Sequence, residues 1–282
     1  MPTGPTTRRR QLGATLRKLR ERRDMTLEEA GKLIGVSKAT ISRYETKEGP
    51  IKWPIADALC RSYGASDVER EAIIALAKEA RVQGWWTSLG SKIPESMNFL
   101  LTLEDEALQE NHFACAYVPG LLQTRGYAEA IVRASDMRQP AKEVERQVSI
   151  RLKRQEILKR STPPHIWAVL DESVIRRCVG STSTMRSQLD YLLACADAPH
   201  VTLQILPFAS GAHASAMGSF VILGGQQPSL DVVYLDILTG ALFLEKEEEL
   251  DRYRQAFDYL RAQALDITAS AALIKRAHKE MS

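Results

Sequence analysis

The side chains best suited to chemistry in this sequence lie on one side of a short amphipathic segment, Ser37–Glu45. Ile41 and Tyr44 give the segment an apolar side at helical spacing. The outward residues are small, hydroxylated or basic: Lys38, Ala39, Thr40, Ser42 and Arg43. Lys and Arg donate to guanine O6 and N7, Thr bonds to several base edges, and Ala contacts the thymine methyl. This set of side chains suits the reading of base edges in the DNA major groove.

The preceding residues predict the helix that must position this segment. Thr26 and Glu29 have the spacing of a capping box, and Gly35 suits the left-handed residue that ends a helix. Ser37 is the N-cap expected for the next helix. Between the caps, one apolar stripe is predicted at helical spacing: Leu27, Ala30, Leu33 and Ile34. Two short helices around a tight turn are typical of a helix-turn-helix; the alternative is an ordinary helical hairpin with a polar face.

The segment Leu16–Glu45, LRKLRERRDMTLEEAGKLIGVSKATISRYE, resembles the lambda-repressor-like (Cro/Xre) helix-turn-helix, and the resemblance covers residues 12–63. It implies an all-α bundle of five helices and an ion pair between Arg20 and Glu45. Base contacts are implied for Lys38, Ala39, Thr40 and Arg43. The predicted DNA-binding set also includes Ser37, Ser42, Thr26 and Arg17. The family usually has Gln where this chain has Leu27, which removes one expected DNA contact.

Charge is divided unevenly along the chain. Residues 1–63 hold 14 Lys and Arg against 7 Asp and Glu, a net charge of +7, whereas the whole chain carries +3. Residues 64–282 therefore carry −4. A basic reading head is what neutralisation of DNA phosphates requires. Arg8, Arg9 and Arg10 form a basic arm before the first predicted helix, which either follows the DNA or is simply solvated.

Length and composition favour two domains in a chain of 282 residues. We place a DNA-binding domain with a connector helix at residues 1–83, a linker at 84–97 and a second domain at 98–282. The sequence has no apolar run long enough for a membrane span and no secretory signal, so we expect a cytoplasmic protein. The four cysteines lie far apart and include no CxxC pair, and we expect no metal and no cofactor.

The second domain alternates helical and strand-like patterns, which predicts an α+β fold with flanking helices. Strands are expected at HFACAYV and HIWAVLD, and a long charged helix at residues 142–160. Further strand-like runs are VTLQILP, GSFVILG, DVVYLD and ALFLE. No helical pattern separates these four runs, so we expect a mainly antiparallel meander.

Several motifs of this second part resemble the actinobacterial WhiJ-like regulators: VPGLLQT at residues 118–124, RLKRQEIL at 151–158, LDESVIRR at 170–177 and LQILPFASGAHASAMGSFVIL at 203–223. The resemblance extends over essentially the whole chain. It implies a transcription factor, often a repressor, with an Xre-type head and a C-terminal domain that receives a signal or a partner. Such regulators are often encoded beside a small BldB-like protein in an antitoxin-like pairing.

The stretch PFASGAHASAMGSF supplies hydroxyls and an imidazole among glycines, and we select Ser210, His213 and Ser215 as a candidate ligand or partner loop. A mobile loop between strands explains the same residues. No G-x-S-x-G, Walker or H-E-x-x-H motif occurs, so we assign no catalytic residue and expect no enzyme.

These observations predict a sequence-specific transcriptional regulator, most simply a repressor, that binds a palindromic DNA operator as a homodimer. Its C-terminal domain would sense a small-molecule effector or bind a small BldB-like partner. The alternative is an antitoxin-like interaction protein that neutralises a small partner and binds DNA for autoregulation.

Overall fold

The computed structural model describes residues 7–46, 51–79, 85–86, 93–215, 218–225 and 231–281. Contacts along the chain divide it into two compact units, Met1–Glu106 and Ala107–Ser282. The predicted linker at 84–97 overlaps the start of a helix, Glu95–Glu106, which groups with the first unit. Each unit has a hydrophobic core of its own.

The first unit is all helical within its described residues. Its helices are α1 (Thr7–Glu21), α2 (Leu27–Ile34), α3 (Lys38–Glu45), α4 (Trp53–Ser62), α5 (Asp67–Glu79) and α6 (Glu95–Glu106). The core is formed where the apolar sides of α1 to α5 meet, and its most deeply buried members include Leu12, Leu16, Ile41, Leu59 and Tyr63. The predicted all-α helix-turn-helix bundle is confirmed.

An ion pair joins α1 to α3 inside this bundle. Nε of Arg20 donates to Oε1 of Glu45 at 2.7 Å, and Nη2 of Arg20 donates to Oε2 at 2.8 Å. The two side chains are only 10% and 4% exposed. The hydrogen bond to Glu45 raises the pKa of Arg20, and Nη1 also donates to the carbonyl oxygen of Met25. The guanidinium therefore connects α3, α1 and the loop before α2.

The same two helices approach closely at Gly13. A Cβ at this position would lie 2.6 Å from the carbonyl oxygen of Tyr44 and 3.0 Å from that of Glu45. Such distances are shorter than non-bonded carbon–oxygen contacts allow, so a larger residue would push α3 away from α1. Glycine at 13 and the ion pair thus fix one end of α3.

The second unit contains a six-stranded sheet. Its strands are β1 (Gln109–Ala114), β2 (His165–Asp171), β3 (Val201–Leu206), β4 (Phe220–Gly224), β5 (Val232–Ile237) and β6 (Gly240–Leu244). Its α-helices are α7 (Arg125–Ser135), α8 (Ala141–Arg154), α9 (Glu172–Arg176), α10 (Thr182–Ala196), α11 (Glu247–Gln263) and α12 (Ile267–Glu280). Short 3-10 turns occupy Gly120–Leu122, Gln155–Lys159 and Phe208–Ser210.

The strand order is β3-β2-β1-β4-β5-β6. β1, β2 and β3 are parallel to one another, whereas β4, β5 and β6 continue antiparallel from β1. One sheet face packs on α7, α9, α10 and α12, and the other packs on α11. The predicted α+β class with a mainly antiparallel sheet is confirmed, in the form of a mixed sheet.

The predicted four-strand meander is wrong in one strand. β4, β5 and β6 form it, but β3 lies at the opposite edge, beside β2. The helices α9 and α10 lie between β2 and β3 in the chain, and a parallel pair needs such a crossover. Although no helix separates β3 from β4 in the chain, β3 thus pairs with the strand before it.

We expect Glu45→Ala to destabilise the first unit by about 3–5 kcal/mol, because it leaves the Arg20 charge buried without its partner. The measurement is hydrogen exchange of the full chain, followed on peptides from residues 12–46. Glu28→Ala is the matched control, because its pair with Lys32 is exposed and should contribute little. Equal protection of α1 and α3 in both variants would contradict the role of the pair.

Candidate nucleic-acid interface

The turn between α2 and α3 is fixed by caps at both ends of α2. The N–H of Glu29 donates to Oγ1 of Thr26 at 3.2 Å, and the N–H of Thr26 donates to the Glu29 carboxylate at 2.8 Å. This hydrogen bonding lowers the pKa of Glu29. Gly35 ends the helix with φ 71°. The predicted capping box and left-handed glycine are both present.

Gly31 allows α2 to meet the start of α3. A Cβ on Gly31 would lie 2.5 Å from the carbonyl oxygen of Val36, which belongs to the turn. The N–H of Val36 in turn donates to the carbonyl oxygen of Gly31 at 2.9 Å. The angle between the two helices therefore depends on a small residue at 31.

The start of α3 is fixed by Ser37. Its Oγ accepts from the N–H of Thr40 at 3.1 Å and lies 2.9 Å from the Thr40 hydroxyl. Ser37 is the predicted N-cap, and its hydroxyl is shared between the cap and Thr40. A hydroxyl can accept and donate together, so Thr40 keeps hydrogen-bonding capacity for a second partner.

The structure places the predicted reading residues of α3 together on the surface. Lys38, Ala39 and Arg43 are exposed, and Thr40 and Ser42 are half-buried. Among the described residues, no carboxylate lies within ion-pair distance of Lys38 or Arg43. By contrast, several other cations of this unit are paired, including Arg22 with Glu69 at 2.8 Å. Lys38 thus offers an ammonium group, and Arg43 a guanidinium group, to an external anion or acceptor.

Two predicted DNA-binding residues lie outside α3 and have partners in their own segment. Nε of Arg17 donates to Oε1 of Glu21 at 2.7 Å. The Thr26 hydroxyl lies 2.8 Å from Oε2 of Glu29 within the capping box. Both side chains are exposed, so either could contact a phosphate while keeping these bonds.

Two features of this unit differ from the sequence analysis. Leu33, expected on the buried stripe of α2, is 54% exposed. Arg8, Arg9 and Arg10, expected in an arm before the first helix, have helical backbone within α1. Helical spacing placed Leu33 on the buried stripe of α2, but only Leu27, Ala30 and Ile34 of that stripe pack in the core. Leu33 therefore adds an apolar side chain to the outer surface beside the turn.

In the second unit, the candidate loop of Ser210, His213 and Ser215 is held by bonds close to the loop itself. Oγ of Ser210 donates to the carbonyl oxygen of Gln263 at 3.2 Å. The N–H of Ser215 donates to Nδ1 of His213 at 3.3 Å, and Oγ of Ser215 donates to the carbonyl oxygen of Gly218 at 2.7 Å. The His213 ring packs edge-on against Phe113 with centroids 5.3 Å apart. Ser210 thus bonds to the last residue of α11, whereas Ser215 bonds within the loop; residues 216–217 of the stretch lie outside the described part.

A shallow cavity of about 510 Å³ opens beside β2 and β3, and its lining residues are Trp167, Thr202, Gln204, Asp266, Ile267 and Thr268. Nε1 of Trp167 donates to Oε1 of Gln204 at 2.8 Å, and Nε2 of Gln204 donates to the carbonyl oxygen of Leu265 at 2.9 Å. Asp266 caps α12. Trp167 and Gln204 thus bond to each other, and the Asp266 carboxylate accepts from the N–H of Ala269.

Within the residues that the structure describes, no three side chains among His, Cys, Asp and Glu lie together in a metal-binding group. No helix in the same part of the chain is long and apolar enough to cross a bilayer.

Comparison with protein families identifies both units. A helix-turn-helix domain matches residues 11–73, and a domain of unknown function, DUF5753, matches residues 98–276. The first match indicates a DNA-binding regulator, and the two together fit an Xre-like regulator with a large C-terminal domain. No curated protein matches the chain significantly, and neither does any solved structure.

We expect Gly31→Val to weaken DNA binding and to destabilise the first unit by roughly 1–3 kcal/mol, because its side chain must displace the Val36 carbonyl. Hydrogen exchange of α2 and α3, together with fluorescence-anisotropy titration of DNA, measures both effects. Ala75→Val on the exposed side of α5 is the matched control for a β-branched residue in a helix. Equal hydrogen exchange and equal DNA affinity of the two variants would show that the close approach of Gly31 to Val36 is unimportant.

Proposed function

The chain belongs to the DUF5753 family, and we propose that it is a sequence-specific DNA-binding transcriptional regulator that acts as a repressor. The observation that carries the proposal is the outer side of α3, where Lys38 and Arg43 extend without a carboxylate partner among the described residues. In this proposal α3 enters the major groove and these two cations contact base edges or phosphates. Promoter occlusion is then the simplest route to repression.

Further contacts complete the proposed reading surface. Ser37, Ala39, Thr40 and Ser42 lie beside the two cations and supply hydroxyls and a methyl group. We propose Arg17 and Thr26 as phosphate contacts at the edge of this surface. Each also bonds to a residue of its own segment. The net charge of +7 over residues 1–63 supports such contacts. DNA binding of this kind needs no catalytic residue or cofactor, and we propose that the protein is not an enzyme. We propose also that it acts in the cytoplasm.

We propose further that the regulator binds a palindromic operator as a homodimer, because one helix-turn-helix reads only a few base pairs. A self-pairing surface is available on the second unit. β6 is an edge strand, and three apolar side chains around the β5–β6 hairpin are exposed: Ile237 at 52%, Leu238 at 100% and Leu242 at 49%. An exposed apolar edge strand is a template for pairing with another copy.

The C-terminal domain receives the signal in this proposal, either a small-molecule effector or a small BldB-like partner. The C-terminal unit has a core of its own, separate from that of the DNA-binding unit. This supports a division of labour in which the first unit binds DNA and the second binds the signal. The antitoxin-like alternative would use the same exposed hairpin for a small protein instead of a second copy.

The DNA-reading role is tested by Arg43→Ala. We expect a loss of roughly 1–3 kcal/mol in binding free energy that is concentrated at one base position of the selected site. In vitro selection on random duplexes supplies the site, and anisotropy titrations measure the change. Arg61→Ala is the control, since Arg61 is exposed but pairs with Asp57 on α4. Unchanged affinity and base preference in Arg43→Ala would refute the assignment.

The dimer is tested by Leu238→Asp. We expect this variant to shift the mass in solution toward one chain and to weaken operator binding, because a charge would be forced into the apolar contact. Light scattering coupled to size-exclusion chromatography gives the mass. Met137→Asp, at an apolar side chain that is 92% exposed and distant in sequence, is the control. A wild-type monomer that binds the whole operator tightly would exclude the dimer.

A further inference from the structure

The shallow cavity beside β2 and β3 has no part in the proposed DNA contacts. Trp167 on β2 and two residues of the edge strand β3, Thr202 and Gln204, form one side of its lining. Residues 266–268, at the start of α12, form the rest. The volume of about 510 Å³ lies within the range of roughly 300–1,000 Å³ that small-molecule sites occupy. The cavity is therefore large enough for a small ligand.

The indole of Trp167 is held in one orientation by its neighbours. Its Nε1 donates to Oε1 of Gln204 at 2.8 Å, and Nε2 of Gln204 donates in turn to the carbonyl oxygen of Leu265 at 2.9 Å. The guanidinium carbon of Arg261 lies 4.9 Å from the centroid of the indole. The Phe257 ring packs edge-on against it, with centroids 6.4 Å apart. This wall is preorganised, so a ligand would bind without first ordering these side chains.

The other polar side chains of the lining keep capacity for hydrogen bonds. Oδ1 of Asp266 accepts from the N–H of Ala269 at 2.8 Å, whereas Oδ2 has no partner among the described residues. The hydroxyls of Thr202 and Thr268 likewise have no hydrogen-bond partner within the described part of the chain. A carboxylate oxygen only accepts, and a hydroxyl both accepts and donates. The cavity therefore favours a ligand that brings hydrogen-bond donors.

The charge at the cavity is negative. Of the six lining residues, only Asp266 is ionisable, and no cation among the described residues lies within ion-pair distance of its carboxylate. The nearby charge of Arg261 is already paired, because its Nη2 lies 2.9 Å from Oδ1 of Asp258. The N-terminus of α12 stabilises the ionised form of Asp266. A cationic ligand is therefore attracted to this cavity, and an anionic one is repelled.

We propose that this cavity binds a small organic amine in its protonated form. The ammonium group donates to the carboxylate of Asp266, and the hydroxyls of Thr202 and Thr268 accept its remaining protons. The apolar body of the ligand lies against Trp167 and against Ile267, whose side chain is 54% exposed. The proposal names the effector class of the proposed sensing function and rests on that function only for its biological meaning.

The test uses the full chain and phenethylamine, with phenethyl alcohol as the uncharged match and phenylacetate as the anion. The protein is labelled with fluorotryptophan, and fluorine NMR at neutral pH and constant ionic strength follows its four tryptophans. The resonance that Trp167→Phe lacks is that of Trp167.

We expect phenethylamine to shift the Trp167 resonance. The alcohol and the acid should bind at least about threefold more weakly, because neither pairs a positive charge with Asp266. The proposal would be overturned if the amine did not bind, if it left the Trp167 resonance unshifted, or if the alcohol or the acid bound equally well.

Asp266→Asn tests the charge while keeping the helix cap, since Asn also accepts from the N–H of Ala269. We expect its affinity for phenethylamine to fall at least about threefold and its affinity for the alcohol to stay the same. Asp136→Asn is the matched control, because Asp136 is exposed and also accepts from a main-chain N–H, that of Arg138 at 2.9 Å.

Thermal melting shows that both variants are folded. An unchanged amine affinity in Asp266→Asn would overturn the site. These measurements contain no DNA, whereas Arg43→Ala is measured on DNA without an amine, so the binding site and the regulator can fail independently.

Discussion

The bidentate pair between Arg20 and Glu45 is the interaction on which the reading surface depends. Glu45 is the last residue of α3, and Arg20 lies near the end of α1, so the pair fixes α3 against the longest helix of the unit. The close approach of Gly13, also on α1, and that of Gly31 on α2 constrain α3 further. Lys38 and Arg43 are therefore presented by a helix whose position is set by buried groups.

Local features of this unit were predictable because their causes are local. The capping box of Thr26, the cap by Ser37 and the glycine that ends α2 each depend on residues within a few positions. The exposure of Leu33 was not predictable, since periodicity does not show how much of a stripe the neighbouring helices cover. The positions of Gly13 and Gly31 also gave no signal, because a close approach depends on backbone from another segment.

In the second unit the strands were predictable and their order was not. Strand patterns at His165–Asp171 and in the four later runs match β2 to β6 closely. Pairing, however, depends on contacts distant in sequence, and β3 lies beside β2 although the chain leads directly from β3 toward β4. The same limit applies to the candidate sites. The hydroxyl-rich stretch around His213 was conspicuous in sequence, yet Ser210 and Ser215 donate to main-chain carbonyl oxygens, Ser210 to that of Gln263 and Ser215 to that of Gly218.

In the second unit, the side chains of Gln123, Gln155 and Gln188 donate to main-chain carbonyl oxygens of residues 118–124. Amide side chains do not titrate, and salt screens their hydrogen bonds far less than it screens contacts between full charges. Contacts of α3 with an external polyanion, in contrast, weaken steeply as ionic strength rises. A rise in ionic strength would therefore loosen α3 from a nucleic acid and leave the hydrogen bonds around residues 118–124 intact.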